Sequence, residues 1–315
     1  MRGLVIKSTG SSYIVRLDDG SDVECRIKGN FRIRGIRSTN PVAVGDYVTV
    51  EEDTKSQTGP EPLRWITDVE ERRNYIIRKS TNLSKESHIL AANIDQVALI
   101  VTVNHPITST TFIDRFLATC EAYRVQAILI FNKIDLLTPE ELAQLDELRA
   151  LYESIGYKTM EMSAISIQPS DILPLLENKV TLLSGNSGVG KSTLLNALFG
   201  REMTRTGKIS DAHDKGMHTT TFSEMYFLPT ANANGQIIDT PGIKGFGTID
   251  MQREEVSHYF RDIFAVSRDC RFGNCTHTNE PGCAVQEALI KGDLAISRYE
   301  SYLSLLGDCE EGKYR

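Results

Sequence analysis

The sequence lacks the long apolar runs, secretion signal and cysteine density that mark membrane and secreted proteins. No stretch approaches the ~20 apolar residues that span a bilayer. Residues 1–7 lead into neither a longer apolar segment nor a small-residue cleavage site. At 315 residues, the chain can bury a core without disulfides. We therefore expect a cytoplasmic protein of two or three domains with no membrane partner.

The sequence also lacks an excess of positive charge. Its 35 Lys and Arg residues are outnumbered by 42 Asp and Glu residues, and the formal net charge is −7. Nucleic-acid binding would therefore depend on a local basic patch rather than on the total charge. One patch combines basic residues with an aromatic residue and no acid: Arg26, Lys28, Phe31, Arg32, Arg34 and Arg37. It suits contact with RNA phosphates and stacked bases, and it equally fits an ordinary solvated face.

Residues 1–72 have the pattern of a small β-barrel. Runs of β-branched and aromatic residues occur at 4–6, 13–17, 23–27 and 47–50, with turn-forming residues between them. Five short strands fit an OB-fold, although an SH3-like barrel fits nearly as well. The polar, interrupted stretch that follows, residues 74–87, is interpreted as a linker.

The pattern changes from residue 90 onward. Continuous apolar runs at 97–103 and 127–131 are typical of parallel strands buried on both faces. Helical spacing over 112–123 and a helix start at Thr138-Pro139 alternate with these strands. This alternation predicts an α/β sheet, which we assign to residues 73–248.

A phosphate-binding loop follows the next predicted strand. Residues 185–192 match G-x-x-x-x-G-K-[ST] between an apolar strand and a helix. The glycines let backbone N–H groups approach phosphate oxygens, and the helix N-terminus adds positive potential. Lys191 is expected to reach the β- and γ-phosphates, and Ser192 to bind Mg²⁺. The predicted nucleotide-contacting residues here are Gly185, Asn186, Ser187, Gly188, Val189, Gly190, Lys191, Ser192 and Thr193.

An acidic turn, Asp-Thr-Pro-Gly at 239–242, follows another apolar strand. Asp239 can hold Mg²⁺ through water, and the Gly242 N–H can meet the γ-phosphate. The four residues alone form a common turn sequence, but downstream of a phosphate loop they favour this role.

Base recognition is predicted at the end of the strand over 127–131. There the Asp135 carboxylate can accept hydrogen bonds from the guanine N1–H and exocyclic amine, which adenine cannot supply. Asn132 can reach the purine edge, and the Lys133 stem can cover the base. Ser163 and Ala164 follow another strand, where their backbone N–H groups can meet the guanine carbonyl. Asn-Lys-x-Asp alone also fits a plain strand-to-loop turn, so its weight comes from the other motifs.

The order of these motifs is reversed relative to the translation-factor-type GTPases that the sequence resembles. In that class the phosphate loop comes first, whereas here the base-binding motifs precede it. Circular permutation preserves a three-dimensional site while moving the chain ends. The loop after Asp239 then leads directly into the C-terminal region, so a nucleotide-dependent movement can pass to that region.

A cluster of metal ligands lies in the C-terminal region, residues 249–315, which otherwise reads as helical with a final helix over 284–306. The candidate ligands are Cys270, Cys275, His277 and Cys283. Three thiolates and one imidazole form a closed tetrahedral set, which favours structural over catalytic zinc. The alternative is a group of free cysteines beside an unrelated histidine.

Taken together, the barrel, the permuted motifs and the Cys/His cluster resemble the ribosome small-subunit-dependent GTPase family. Residues 44–48 (Val-Gly-Asp-Tyr-Val) and 216–221 (Gly-Met-His-Thr-Thr-Thr) add to the resemblance, although Met217 stands where the family usually has arginine. The resemblance implies an OB-fold, a permuted GTPase domain and a zinc-binding domain. It also implies GTP hydrolysis stimulated by the small ribosomal subunit, a role in late subunit maturation, and rRNA contact by the basic patch. We expect a monomer.

The resemblance leaves the water-positioning group open. Ile243 stands where many GTPases carry glutamine after the acidic motif, so the isolated chain should be a slow enzyme. Either His218 or a ribosomal group positions the water, or His218 only packs within its loop. Thr219 or Thr220 is expected to reach Mg²⁺. A nucleotide-gated RNA-binding adaptor is the alternative function, and Asp135 disfavours an ATP-driven enzyme.

Overall fold

The computed structural model describes residues 1–9, 12–27, 41–53, 62–79, 87–200, 223–229, 234–240 and 251–311. The strands in these ranges are β1 (Arg2–Ser8), β2 (Tyr13–Leu17), β3 (Asp22–Ile27), β4 (Tyr47–Glu52), β5 (Arg64–Val69), β6 (Tyr75–Lys79), β7 (Ser87–Ala92), β8 (Gln96–Val101), β9 (Gln126–Phe131), β10 (Lys158–Glu161), β11 (Val180–Ser184), β12 (Ser223–Phe227) and β13 (Gln236–Asp239). The helices are α1 (Thr110–Ala122), α2 (Pro139–Ser154), α3 (Pro169–Leu176), α4 (Lys191–Phe199), α5 (Arg261–Ser267), α6 (Ala284–Lys291) and α7 (Ile296–Glu311). None of the helices in these ranges is long and apolar enough to cross a bilayer.

The first five strands close into a barrel with the order β1-β2-β3-β5-β4-β1. Strand β1 pairs antiparallel with both β2 and β4, and a parallel β3–β5 pairing completes the circuit. Alternate residues of β2 point into the barrel, where Tyr13, Val15 and Leu17 are buried. This five-stranded closure confirms the OB-fold rather than the SH3-like alternative. Strand β5 escaped prediction because Arg64 and Asp68 interrupt its apolar pattern.

The predicted linker over 74–87 is wrong in part, because its first residues form a strand. Strands β6 and β7 pair antiparallel as a separate two-stranded sheet. Ile76 of β6 and Ala91 of β7 are buried in the main core and anchor this sheet to it. Only a short apolar run marks β6 in the sequence, and flanking polar residues obscure its alternation.

The α/β region is a sheet in the order β10-β9-β8-β11-β13-β12, in which all neighbours except β13 and β12 run parallel. Every residue of β8 is buried, as the unbroken apolar run predicts. Because the strands run parallel, the loops after β8, β9, β10 and β11 and the carboxyl end of β13 meet at one edge of the sheet. Strand β12 also pairs with β1, so the sheet continues into the barrel.

A tight joint fixes the barrel to the α/β region. The Asn93 side-chain amide donates a hydrogen bond of 2.9 Å across the joint to the Gly45 carbonyl oxygen. On the barrel side, the buried Asp46 carboxylate accepts hydrogen bonds of 2.6 Å from both Nε and Nη2 of Arg72. Gly45 has φ of 95°, and a Cβ there would lie 2.1 Å from the Ala92 carbonyl oxygen. Only glycine accommodates this backbone and this contact. The Val-Gly-Asp run over 44–46 therefore forms the junction between the two regions.

The predicted single helix over 284–306 is two helices. Helix α6 ends at Gly292, whose φ of 79° is left-handed and whose N–H bonds back to Ala288 and Leu289. Such a glycine is a common helix stop. Leu294 is then buried, and α7 starts at Ile296. The break lets the last helix turn back and pack along α1.

A buried charge network holds the C-terminal region on the α/β region. Arg298 of α7 is 1% exposed and donates hydrogen bonds to Asp114 of α1 (2.7 Å) and Asp262 of α5 (2.7 and 3.0 Å). The Tyr152 hydroxyl donates to the same Asp114 oxygen at 2.9 Å. The network thus joins four helices from two regions of the chain.

Replacing Arg298 with methionine should destabilise the protein by about 3–5 kcal/mol, because it leaves the Asp114 charge buried without a cationic partner. Urea unfolding followed by circular dichroism measures this loss. Arg115→Met is the matched control. Arg115 also joins α1 to α7, through Ser304 and Asp308, but its side chain is partly exposed. Its loss should therefore lower the free energy of unfolding by less than about 1 kcal/mol. Equal losses in the two variants would contradict the assigned importance of burial.

Candidate nucleotide site and metal centre

The phosphate loop lies between β11 and α4, as its sequence predicts. Lys191 is the first residue of α4, and its ammonium donates 2.7 Å hydrogen bonds to the carbonyl oxygens of Gly185 and Asn186. Gly190 has φ of 101°, and a Cβ there would lie 2.3 Å from the Asn132 amide nitrogen. The loop is therefore wrapped around its own lysine and packed against the neighbouring loop.

Lys191 lies in an environment that disfavours its protonated, charged form. Burial lowers the pKa of Lys191 to about 8, and the Asp239 carboxylate offsets part of that change. Asp239 ends β13, is 1% exposed, and lies opposite Leu183 in the neighbouring strand β11. A phosphate placed here would meet a lysine that gains from a new anionic partner.

Asn132 connects three of the predicted segments. It directly follows β9 and is 2% exposed. Its amide nitrogen donates to the Val189 carbonyl oxygen at 2.7 Å, and its amide oxygen accepts from the Ala164 N–H at 2.9 Å. Both ends of the side chain are thus engaged in holding loops together, one of them the phosphate loop.

Asp135 lies in a 3₁₀ turn over Ile134–Leu136, next to the loop that follows β10. The Ser163 hydroxyl donates a short hydrogen bond to its carboxylate. Ser163 adjoins Ala164, which bonds to Asn132, which in turn bonds to the phosphate loop. A continuous set of contacts therefore connects Asp135, the carboxylate predicted to recognise the base, to the loop that carries Lys191, despite their reversed order in the sequence.

A further loop, residues 102–108, belongs to this site and was not predicted. The Lys133 ammonium donates to the His105 carbonyl oxygen, and Lys133 itself has a left-handed φ of 65°. Pro106 faces Gly188 of the phosphate loop, with its Cδ 3.6 Å from the position of a Cβ. Asn104 anchors the loop to Glu141 at the start of α2. The sequence could have indicated this loop only by its position, because it directly follows the predicted strand β8 and so lies at the same sheet edge as the other loops of the site.

Several predicted site residues lie outside the described residues. They are Lys28, Phe31, Arg32, Arg34, Arg37, His218, Thr219, Thr220 and Gly242. Arg26 is described, and its side chain is exposed in β3 of the barrel.

The four predicted metal ligands come together. Their ligand atoms lie within 4.8 Å of one another, and His277 Nδ1 is 3.5 Å from the Sγ atoms of Cys270 and Cys283, which are 4.0 Å apart. Ideal tetrahedral zinc would separate two sulfurs by about 3.8 Å and a sulfur from a nitrogen by about 3.6 Å. The donor set and spacing fit a closed, four-coordinate metal ion.

The loop around these ligands is organised by Glu280. Its carboxylate accepts hydrogen bonds from the Thr276 N–H and hydroxyl at 2.7 and 2.6 Å, and from the Thr278 N–H at 2.9 Å. Burial alone would raise the pKa of Glu280, but these bonds outweigh it and lower the pKa to about 2. The Tyr299 hydroxyl of α7 donates to the His277 carbonyl oxygen at 2.7 Å. The ligand loop is therefore tied to the helix that carries Arg298.

Comparisons with known proteins agree with this architecture. The family model RsgA GTPase matches residues 69–249, and the model RsgA N-terminal domain matches residues 2–59. Proteins named small ribosomal subunit biogenesis GTPase RsgA from Phocaeicola vulgatus and Porphyromonas gingivalis are each 58% identical over 316 residues, covering 100% of this chain and 99% of the relative. The counterpart from Christiangramia forsetii is 51% identical over 318 residues, covering 100% of this chain and 98% of the relative.

Two solved structures share the whole fold. The crystal structure of YjeQ from Thermotoga maritima has a TM-score of 0.71 and 30% sequence identity, covering 98% of both chains. The structure of YloQ, described as a circularly permuted GTPase, has a TM-score of 0.69 and 29% identity, covering 100% of this chain and 96% of that one. The permuted motif order, the five-stranded barrel and the full-length matches lead to one conclusion: the chain belongs to the RsgA GTPase family.

Proposed function

We propose that this GTPase is stimulated by the small ribosomal subunit and assists the late maturation of that subunit. The observation that carries the proposal is the convergence of Asp135, Asn132 and Lys191 at one edge of the sheet, in a chain whose full-length relatives are named for small-subunit biogenesis. The domains we propose are an OB-fold over 1–72, a permuted GTPase domain over 73–248 and a zinc-binding helical domain over 249–315. The protein acts in the cytoplasm as a monomer.

The base end of the site selects guanine. Asp135 accepts the N1–H and exocyclic amine, while the Lys133 stem, held at its tip by the His105 carbonyl, covers the base. Asn132 fixes the base-binding loop to the phosphate loop at the Val189 carbonyl, so base and phosphates are positioned as one unit. The residues proposed to contact GTP are Asn132, Lys133, Asp135, Ser163, Ala164, Gly185, Asn186, Ser187, Gly188, Val189, Gly190, Lys191, Ser192, Thr193 and Gly242.

The phosphate end neutralises charge. Lys191 leaves the loop carbonyls and pairs with the β- and γ-phosphates, which are stronger acceptors for its ammonium. Ser192, Asp239 and Thr219 or Thr220 would hold Mg²⁺, and the ion would offset the negative charge of the phosphates. Asp239 fits this role because it is buried beside Lys191 at the end of β13.

GDP affinity should fall as pH rises above about 8, because phosphates bind the charged form of Lys191 and the free protein begins to lose that proton there. The fall should approach tenfold per pH unit until the pKa of the bound form is reached. Fluorescent GDP titrations between pH 7 and 9.5 measure it. Lys191→Arg keeps its charge over this range, so its weaker binding should retain only the pH dependence that arises from guanine and the rest of the site. Parallel profiles for the two proteins would contradict the assignment.

His218→Ala should leave GTP affinity near that of the parent and lower the turnover stimulated by small subunits. The reason is that His218 adjoins the two threonines proposed for Mg²⁺, and Ile243 cannot orient water. Single-turnover hydrolysis with saturating small subunits is the measurement. Unchanged stimulated turnover would assign the water to a ribosomal group.

The function is tested by titrating GTP hydrolysis with purified small subunits beside a control with large subunits. Strong stimulation by small subunits alone supports the proposal. Binding without stimulation would favour the nucleotide-gated RNA-binding adaptor instead. We also propose that the basic patch over residues 26–37 contacts rRNA phosphates. The affinity for the small subunit should therefore decline steeply as the salt concentration rises.

The C-terminal cluster holds one structural zinc ion through Cys270, Cys275, His277 and Cys283. A complete set of four protein ligands leaves no position for substrate, so the role is structural. The tyrosine and glutamate contacts around the ligand loop support a metal that organises this part of the chain.

A further inference from the structure

A groove of about 530 Å³ opens at the sheet edge opposite to the nucleotide site. Asp95 precedes β8 and Arg124 precedes β9, so both lie at the amino ends of strands whose carboxyl ends carry the nucleotide loops. Arg73, which precedes β6, Tyr75 at the start of β6 and Tyr123 after α1 form the other walls. We call this feature the amino-edge groove. Because it lies at the other end of the strands, the GTP site does not account for it.

The floor of the amino-edge groove is fixed by hydrogen bonds. The Asn74 side chain donates to the Ile94 carbonyl at 2.7 Å and accepts from the Ile94 N–H at 2.9 Å. Ile94 itself is fully buried in the main core. The groove therefore has a preformed base, which reduces the entropy lost when a ligand binds.

Aromatic and cationic groups line the walls. The rings of Tyr75 and Tyr123 lie 5.5 Å apart at 54°. The Arg73 side chain is 59% exposed and pairs with Asp95 at 2.8 Å. Arg124 is exposed and held in a left-handed conformation with φ of 55°. Within the part of the chain that the structure describes, no side chain pairs with the Arg124 guanidinium, so it remains available to an anion.

Resting on the proposed function, we propose that the amino-edge groove binds a single-stranded rRNA segment of the small subunit. Tyrosine rings offer stacking surfaces to a base, and Arg124 offers charge to an adjoining phosphate. Arg73 is already engaged by Asp95 and by the Asn93 carbonyl oxygen. Asp95 disfavours a purely anionic ligand but can accept hydrogen bonds from base amino groups. The volume falls within the about 300–1,000 Å³ range of small-ligand sites, which suits one or two nucleotides rather than a folded partner.

Arg124→Asn tests the groove, because asparagine tolerates the left-handed backbone while removing the charge. Lys158→Asn removes one exposed charge from β10 and is the matched control. Loss of a charged contact should weaken small-subunit binding about tenfold. It should also reduce the slope of log affinity against log salt by about 0.7. A fluorescein-labelled ten-residue oligouridylate, used as a second probe, should show the same ordering of variants, and GDP affinity should stay unchanged.

The outcomes separate the groove from the proposed function. Failure of the parent protein to bind small subunits overturns the proposed function, and the oligouridylate then decides the groove by itself. Equal binding of RNA by Arg124→Asn and Lys158→Asn overturns the groove as an RNA site. Weaker small-subunit binding with an unchanged salt slope and unchanged oligouridylate binding also overturns it, and assigns the groove to a ribosomal protein.

Discussion

Asp135→Asn should lower GDP affinity at least about 100-fold and raise affinity for xanthosine diphosphate. The carboxylate can accept both the N1–H and the exocyclic amine of guanine, whereas an amide can accept only one and sets its own N–H against the other. Each charge-assisted hydrogen bond contributes about 1.5–3 kcal/mol, and the guanine amine would be left unpaired. Xanthine carries a carbonyl oxygen where guanine carries the amine, so the new amide can donate to it. Competition of the two nucleotides against labelled GDP measures the reversal.

Ser163→Ala is the graded control for that experiment. It removes the hydroxyl that donates to the Asp135 carboxylate but leaves both carboxylate oxygens in place. We expect a GDP loss of about tenfold or less and no gain in xanthosine diphosphate affinity. If Asp135→Asn kept the guanine-to-xanthine ratio of the parent, the carboxylate would not face the base, and the assignment of this pocket to guanine would be wrong.

Local sequence predicted the parts of the fold that depend on short-range physics. The phosphate loop has a fixed spacing that its backbone geometry demands, and β8 is buried on both faces and so reads as an unbroken apolar run. Thr138 with Pro139 marked the start of α2, where the structure has a full capping box. The four metal ligands were predicted because thiolates and imidazole so close together have few other roles.

Long-range pairing explains what the sequence did not reveal. Strand β5 is half-exposed and is defined by partners on β3 and β4 rather than by its own pattern. The sequence on both sides of Gly292 has helical spacing, and a single glycine inside such a pattern can either end a helix or be tolerated within it. The sequence alone therefore did not show that the helix ends there. The loop over 102–108 carries no motif, because its contribution is the His105 backbone carbonyl and the Pro106 ring rather than a characteristic side chain. Arg298 reads as an ordinary surface residue until its two acidic partners, distant in the sequence, are known.

Removing the metal centre should strongly destabilise the C-terminal region. We expect one zinc ion per purified chain, and Cys283→Ser should reduce that content to near zero, because Cys283 is 3% exposed and in contact with two other ligands. Structural zinc contributes about 10–16 kcal/mol of apparent binding free energy in zinc-finger peptides, and this free energy is coupled to folding. Residues 251–311 should therefore become sensitive to protease. GDP binding should persist, because the nucleotide loops lie in the α/β region, at the carboxyl edge of its sheet. Elemental analysis and limited proteolysis of the full chain report the two effects.

Cys309→Ser provides the control, since Cys309 is a partly buried cysteine of α7 outside the cluster. It should retain zinc and protease resistance. The metal loop and the Arg298 network should be energetically coupled, because α7 carries Arg298 and also holds the ligand loop through Tyr299. Loss of zinc should consequently loosen α7 on α1 and make Arg298→Met less costly than it is in the zinc-bound protein. Additive effects of Cys283→Ser and Arg298→Met would show that the metal loop and the helix interface are energetically independent, which contradicts this connection.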